Sequence, residues 1–148
     1  MINIKPATLV QLHALHELFE GYRTFYDMPA NEAKSLAFLK SRIDRQDSII
    51  WLAFFKKQPA GFVQIYPAFT SVGMEQTWLL NDLFVAPAFR QKGVAKHLMQ
   101  HVEAQAKLQR IFSIKLATQR SNDKAKKLYE SLGYQKLDAF DHYSKSVD

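Results

Sequence analysis

A loop with basic side chains and a glycine separates a strand-like segment from a helix-like segment. It reads Arg90-Gln91-Lys92-Gly93-Val94-Ala95. The first turn of a helix leaves backbone N–H groups without partners, and the helix dipole adds positive potential there. Gly93 lets those amides approach an anion without a Cβ in the way. The chemistry that this loop indicates is phosphate binding, which several nucleotide-binding and cofactor-binding folds share.

Hydrophobic periodicity predicts the elements on both sides of the loop. Residues 79–85 are apolar apart from Asn81-Asp82 and rich in β-branched and aromatic types, which predicts a largely buried strand. Pro87 ends this strand, because proline has no N–H group to donate. From Val94 onward the apolar residues recur at helical spacing, which predicts an amphipathic helix. Its apolar stripe consists of Ala95, Leu98, Met99, Val102 and Ala106.

The first half of the chain predicts a strand, two helices and a hairpin. Thr8 and Gln11 have capping-box spacing, so a helix is predicted to begin there and to loosen into a loop from Gly21. The remaining segments in this half are a first strand over residues 2–5, a second helix over residues 31–44, and hairpin strands over residues 48–55 and 61–66.

The second half predicts strands alternating with helices. After the strand over residues 75–85 and the helix from Val94, the predicted elements are strands over residues 111–117, 134–137 and 140–147, and a helix capped by Ser121 or Asn122 and ended by Gly133. This order predicts a single α/β domain over residues 1–148, with a mixed central sheet of about six to seven strands flanked by about four helices.

Composition narrows the function classes. The chain has no cysteine, which excludes disulfides, thiolate metal sites and a cysteine nucleophile. No apolar run approaches membrane-spanning length and the N-terminus has no signal core, so a cytoplasmic protein is expected. The formal net charge of +6 suits an anionic ligand, either a nucleotide or a nucleic acid. Solvation of surface lysines explains the same surplus.

Three segments together resemble the GNAT superfamily of N-acetyltransferases. The loop Arg90–Ala95 is similar to the family's Arg/Gln-x-x-Gly-x-Gly/Ala loop, and residues 81–87 resemble its central strand with the following proline. Residues 122–134, NDKAKKLYESLGY, resemble its second signature, Asn-x-x-Ala-x-x-Leu-Tyr-x-x-Leu-Gly-Phe/Tyr. The likeness covers residues 51–134 well and the N-terminal third in outline. It is nearest to the diamine and polyamine branch, which often reads Leu-Glu-Asp where this chain has Leu-Asn-Asp.

The resemblance implies acetyl-CoA as co-substrate. In the family the loop binds the pyrophosphate, and the pantetheine arm pairs with a central strand that splays from its neighbour. The positions that this assigns are Leu83, Phe84 and Val85 on the strand, Arg90, Gln91, Lys92, Gly93, Val94, Ala95 and Lys96 in the loop, and Asn122 and Ala125 in the second motif. Val85 N–H is the candidate for the contact to the thioester oxygen. Gln91 and Ala95 depart from the commonest pattern, which has glycine at both positions. The basic cluster Lys124, Lys126 and Lys127 is a candidate for the 3′-phosphate.

Tyr129 is the general acid that the resemblance implies, protonating the departing sulfur. A free phenol, with a pKa of about 10, matches a thiolate in basicity. Periodicity alone explains Tyr129 equally well as a core residue of an amphipathic helix. The general base stays open between an ordered water and the carboxylates of Asp82, Asp27 and Glu32, and Asp82 also suits a purely structural hydrogen-bonding role.

The acceptor is predicted to be the primary amine of a small molecule. Asn81 and the acceptor wall that the resemblance implies, which includes Tyr22, Tyr26, Asp27 and Glu32, would hold a cation through carboxylate and π contacts. His97 and His101 have helical i, i+4 spacing but no third ligand, so a solvated helix face and no metal are expected. Neither a nucleic-acid nor a membrane partner is expected. A homodimer is expected only because dimers are common in the resembling family. The alternatives are a protein-lysine or N-terminal acetyltransferase, a non-catalytic acyl-CoA-binding module and a small basic nucleic-acid-binding domain.

Overall fold

The computed structural model describes residues 1–148 and divides them into two compact units, residues 1–117 and 118–148. The first unit contains, in chain order, β1 (Ile2–Pro6), a 3₁₀ turn (Leu9–Gln11), α1 (Leu12–Phe25), α2 (Glu32–Arg45), β2 (Ile49–Phe55), β3 (Gln58–Thr70), β4 (Glu75–Val85), a second 3₁₀ turn (Pro87–Phe89), α3 (Val94–Leu108) and β5 (Ile114–Leu116). The second contains α4 (Asp123–Ser131). Every helix is too short or too polar to cross a membrane.

The strands form one mixed sheet in the order β1-β2-β3-β4-β5, which confirms the α/β class. Successive strands from β1 to β4 pair antiparallel, and β5 pairs with β4 in parallel. One face of the sheet packs on α1 and α2, where Leu15, Phe19, Leu39, Phe62 and Phe84 share a buried cluster. The opposite face packs on α3, whose Leu98, Met99 and Val102 are fully buried. The sheet is therefore covered on both sides, as expected for this layered class.

A β-bulge at Asn81 divides β4 into two halves with different orientations. Ile65 of β3 lies opposite Leu80 and Gln64 lies opposite Asp82, so Asn81 has no partner on β3. Before the bulge, Trp78 packs toward α3, with its ring 6.1 Å from that of Trp51. After the bulge, Asp82 and Phe84 point to the opposite face, where the Phe84 ring lies 6.1 Å from the ring of Tyr22 in α1. One additional residue thus moves the side chains of the second half from one face to the other.

α1 continues through Gly21, where the sequence predicts a loop. A Cβ at Gly21 would lie 3.1 Å from the Phe84 ring, so the absence of a side chain lets the helix approach β4 closely. Close packing on the sheet outweighs the weak helix propensity of glycine. The predicted capping box of Thr8 and Gln11 is confirmed, although it caps the 3₁₀ turn that precedes α1.

A polar cluster connects α1 to α2. The Ser35 hydroxyl, which is buried, donates to the Glu20 carboxylate, and His16 Nε2 lies 2.8 Å from the same hydroxyl oxygen. Glu20 also lies 3.6 Å from Nε2 of His16. A nucleophilic triad needs the carboxylate on the other ring nitrogen, so this arrangement serves to hold the two helices together.

The predicted strands over residues 134–137 and 140–147 are wrong, since neither segment forms a strand. Phe140, Tyr143 and Val147 are exposed there. β-Propensity produces a strand only where a neighbouring strand pairs with the segment and one face is buried. For the same reason β5 is shorter than the predicted strand over residues 111–117, and the sheet has five strands where six to seven were predicted.

Candidate active site

The second half of β4 has an open edge, consisting of the backbone N–H and C=O groups of Leu83 and Val85. The ladder between β4 and β5 ends at the pair Leu80–Leu116. Ala86 N–H donates to the carbonyl of Ala60 on the β3 side, at 2.8 Å. Because alternate residues of a strand face alternate edges, Leu83 and Val85 present their polar backbone groups away from β3. The strand therefore offers an extended ligand the hydrogen bonds of an added strand.

The loop after β4 delivers backbone amides to the same end of the strand. Gly93 is the N-cap residue of α3 with φ 82°, and no side chain caps the helix. The first-turn amides of Val94, Ala95 and Lys96 consequently face the loop without a side-chain acceptor. Gln91 also adopts a left-handed backbone, with φ 63°. That backbone explains why glycine is common at this position in the resembling family, and it makes glutamine a strained choice.

Arg90 lies beside the open edge. Its Nε donates to the carbonyl of Val85 at 3.0 Å, and its guanidinium lies 5.7 Å from the centre of the Phe25 ring and 5.9 Å from that of Phe84. The charge is thereby placed at the end of β4, between the strand and α1. Lys92, two residues further on, instead lies 5.6 Å from the centre of the Phe55 ring.

Asp82 is the centre of a buried polar network on the α1 and α2 face of the sheet. Its carboxylate accepts from Gln64 Nε2 at 2.5 Å and from Asn81 Nδ2 at 2.9 Å. Gln64 is fully buried and in turn accepts from the Ser48 hydroxyl at 2.9 Å. Burial, then the nearby charge of Asp82 and a side-chain hydrogen bond to it, raise the pKa of Tyr22 well above its ordinary value. Tyr22 therefore stays protonated and donates to the carboxylate.

Sequence reasoning missed Gln64, Ser48 and Tyr66 as members of this network. Burial, followed by the charge of Asp82, raises the pKa of Tyr66, which places its phenol within the same electrostatic environment. The available signal was Gln64, a polar residue inside the apolar run of residues 61–66. A buried amide in a core strand requires partners, and an acidic residue on the neighbouring strand is a natural one.

The predicted acceptor residues separate into two groups. Tyr22 and Tyr26 contact each other edge to face, with ring centres 5.1 Å apart, and Tyr22 adjoins Asp82. Asp27, in the turn after α1, and Glu32, in the first turn of α2, are exposed, and neither carboxylate forms an ion pair within the chain. The structure thus brings the aromatic residues to the buried carboxylate and leaves the two acidic residues at the surface.

The predicted residues of the second motif lie in the second unit and are described within it. The side chain of Asn122 caps α4 by accepting from the N–H of Ala125 at 3.2 Å. Tyr129 is buried, and its ring centre lies 6.1 Å from that of Tyr134. Gly133 follows the helix with φ 92°, which confirms it as the predicted C′ glycine.

His97 and His101 have separate structural contacts. Nδ1 of His97 lies 2.8 Å from the carbonyl oxygen of Gly93. His101 packs edge-on against Trp51, with ring centres 4.8 Å apart, and burial lowers its pKa. The expectation of a solvated face was therefore wrong for His101, which is half-buried.

Comparison with known proteins identifies the family. The Acetyltransferase (GNAT) family matches residues 12–134. The chain is 36% identical to YhfO, an uncharacterized N-acetyltransferase of Bacillus subtilis (strain 168), over 99% of this chain and 98% of that protein. It is 27% identical to a thialysine N-epsilon-acetyltransferase of Caenorhabditis elegans, over 93% of this chain and 86% of that protein. The crystal structure of a probable acetyltransferase superposes with a TM-score of 0.92 at 36% identity, covering 99% of this chain and 98% of the other. The chain belongs to the GNAT family of acetyltransferases and is an N-acetyltransferase.

Proposed function

We propose that this enzyme transfers an acetyl group from acetyl-CoA directly to the primary amine of a small molecule. The observation that carries the proposal is the open edge of β4, flanked by the uncapped first turn of α3 on one side and by the buried Asp82 on the other. An extended acyl carrier with a phosphate group fits the open edge of β4 and the first turn of α3. A cationic amine fits the buried carboxylate of Asp82.

The residues of the loop and strand would hold the co-substrate. The amides of Gly93 to Lys96 would bind its pyrophosphate, because the end of the helix supplies both N–H donors and positive potential. Leu83 and Val85 would pair with its amide-containing arm, and the Val85 N–H would stabilise the thioester oxygen as it gains charge. Acetyl-CoA supplies an activated acyl group. The Nε of Arg90, which donates a hydrogen bond to the Val85 carbonyl, would have to give up this bond before the arm of the co-substrate could pair there.

Asp82 is the proposed proton acceptor. An amine must be neutral to attack, and a proton leaves its nitrogen as the new C–N bond forms and the C–S bond breaks. The three donors around the carboxylate, Gln64, Asn81 and Tyr22, hold its orientation. Tyr129 is proposed to protonate the departing sulfur, a role that rests on the family motif. The family match spans residues 12–134 and so crosses both compact units, which supports a single catalytic domain over residues 1–148.

The preference for a small acceptor rests on the aromatic character of the wall beside Asp82. Tyr22 and Tyr26 offer aromatic rings to a cation, whereas the neighbouring Phe25 ring already lies 5.7 Å from the Arg90 guanidinium. The Caenorhabditis elegans relative is named a thialysine N-epsilon-acetyltransferase, and thialysine is a small amino acid with a primary amine. The cytoplasmic location and the homodimer remain predictions.

The test is release of free thiol from acetyl-CoA in the presence of a panel of diamines, amino acids, aminoglycosides and lysine peptides. Turnover confined to one class of small amine would support the proposal. Turnover on peptides alone would replace it with a protein acetyltransferase. Replacing Tyr129 by Phe separates the acid role from binding: acetyl-CoA affinity should persist while kcat falls about 100-fold. An unchanged kcat in that variant would remove Tyr129 from the mechanism.

A further inference from the structure

The turn between β2 and β3 contains two consecutive lysines in an unfavourable backbone conformation. Phe55 pairs with Gln58, so Lys56 and Lys57 alone form the turn. Their φ values are 49° and 69°, as in a type I′ turn. Such a turn favours Asn-Gly, because both central residues are left-handed, and a lysine at each position adds strain. Strain of this kind commonly persists where function requires the side chain.

One lysine of this turn and one lysine of the loop before α3 lie over the same aromatic ring. Lys56 Nζ lies 5.5 Å and Lys92 Nζ 5.6 Å from the centre of the Phe55 ring. Phe89, in the 3₁₀ turn after β4, lies 5.9 Å from the same ring, centre to centre. The hairpin turn and the loop are therefore in contact through Phe55. We refer to Lys56 and Lys92, together with Lys57, which follows Lys56 in the turn, as the Phe55 lysine cluster.

No carboxylate of the chain neutralises this cluster. The ion pairs of the protein involve other cations, namely His16, Lys40, Arg42 and Lys136. Lys56 and Lys92 are exposed and carry two positive charges at one ring, so this part of the surface has a local excess of positive charge. An anion would be attracted to it. Lysine, a compact charge with rotatable donors, suits a phosphate.

We propose that the Phe55 lysine cluster binds the 3′-phosphate of the CoA moiety. This inference rests on the proposed function, since it requires the pyrophosphate to lie at the first turn of α3. Lys92 belongs both to that loop and to the cluster, so a second phosphate of the same molecule, one ribose away, lies within the reach of both. A phosphomonoester carries close to two negative charges at neutral pH, which matches two lysines better than one. Lys56 and Lys57 have no counterpart in the loop motif and are new to the site.

The experiment compares CoA with dephospho-CoA, which lacks only the 3′-phosphate. Affinities of both are measured by calorimetry for the wild type, Lys56→Ala, Lys92→Ala and the double variant Lys56→Asn/Lys57→Gly. Each single variant should bind CoA about 3- to 10-fold more weakly, while its affinity for dephospho-CoA changes less than about twofold. The double variant should melt at a higher temperature than the wild type, because Asn-Gly suits the turn, and should still lose affinity for CoA. Unfolding therefore cannot explain that loss.

One matched control and one rival site test whether charge alone is responsible. Lys34→Ala removes an exposed lysine from α2 and is the control, and Lys124→Ala tests the other candidate for the 3′-phosphate, in α4. Both variants should keep the wild-type difference in affinity between CoA and dephospho-CoA. Equal losses for CoA and dephospho-CoA in the cluster variants would overturn the proposal, as would discrimination that is lost in Lys124→Ala and not in Lys56→Ala. Failure of the wild type to bind either ligand would refute the proposed function and this inference together.

Discussion

Gln91 carries a backbone cost that a single substitution should remove. Its φ of 63° is left-handed, and its side chain is exposed, so no packing compensates for the strain. An L-residue in this region costs about 1–2 kcal/mol, whereas glycine adopts it freely. Glycine also adds about 0.5–1 kcal/mol of conformational entropy to the unfolded state. Gln91→Gly should therefore stabilise the protein by about 0.5–1 kcal/mol, or roughly 2–4 °C in Tm at the upper end.

Two companion variants separate this strain from general effects of glycine. Gln100→Gly makes the same chemical change at an exposed position inside α3 and should destabilise by about 1 kcal/mol. Gly93→Ala places a Cβ at φ 82°, where its nearest neighbour is His97 Nδ1 at 3.7 Å, so only the backbone conformation opposes it. Gly93→Ala should therefore lower the free energy of unfolding by about 1 kcal/mol. Urea unfolding, analysed with one common m-value, measures the free energy of unfolding of all three variants. If Gln91→Gly destabilises as much as Gln100→Gly does, the loop is not strained at Gln91.

Three further changes test the site and its support. Asp82→Asn should lower kcat at least about 100-fold while acetyl-CoA still binds, and thermal melting checks that the variant is folded; full activity would exclude Asp82 as the base. Gly61→Ala should cost about 1–3 kcal/mol, because its Cβ would lie 2.6 Å from the Phe84 carbonyl oxygen; a stable variant with an unshifted β3–β4 ladder would contradict this. Burial lowers the pKa of His101 below its ordinary 6.5, so on acidification the unfolded chain binds a proton before the folded protein does. The contribution of neutral His101 to the free energy of unfolding is therefore fully present above about pH 6.5 and decreases as the pH falls. His101→Phe keeps a ring against Trp51 and should reduce the difference between urea midpoints at pH 7.5 and 5.5; an identical difference would argue against His101 as its source.

The elements that depend on local pattern were predictable from the sequence. α3 begins at Val94 and β4 ends at Val85, as the change of period predicts, because one buried face repeats along each element. The start of α3 at a glycine without a side-chain cap was predictable for a related reason: the glycine, the basic residues and the following helix are adjacent in the chain. The left-handed backbone of Gln91 was not, since nothing in a glutamine indicates positive φ.

The arrangement around Asp82 depends on register between distant strands. Gln64 meets Asp82 only because β3 and β4 pair with one residue left over at Asn81. No local pattern fixes where such an additional residue will fall. The exposure of Asp27 and Glu32 was likewise not predictable from the sequence, because a turn can direct a carboxylate either inward or to solvent. The family motif predicts where an active site should lie, but it does not predict the packing around Asp82.

The bulge at Asn81 makes β4 tolerant of one kind of mutation and intolerant of another. The side chain of Asn81 is exposed and faces no residue on β3, so its chemistry can change with little effect on folding. Deletion of Asn81 should have a larger effect. Leu80 would still lie opposite Ile65 and Asp82 opposite Gln64, so the side chains after the bulge would keep their faces. The strand would lose the local bend and twist that the additional residue adds, and it would lose them where the β4–β5 ladder ends. A strand shortened at this point should therefore keep its carboxylate beside Gln64 while its open edge narrows.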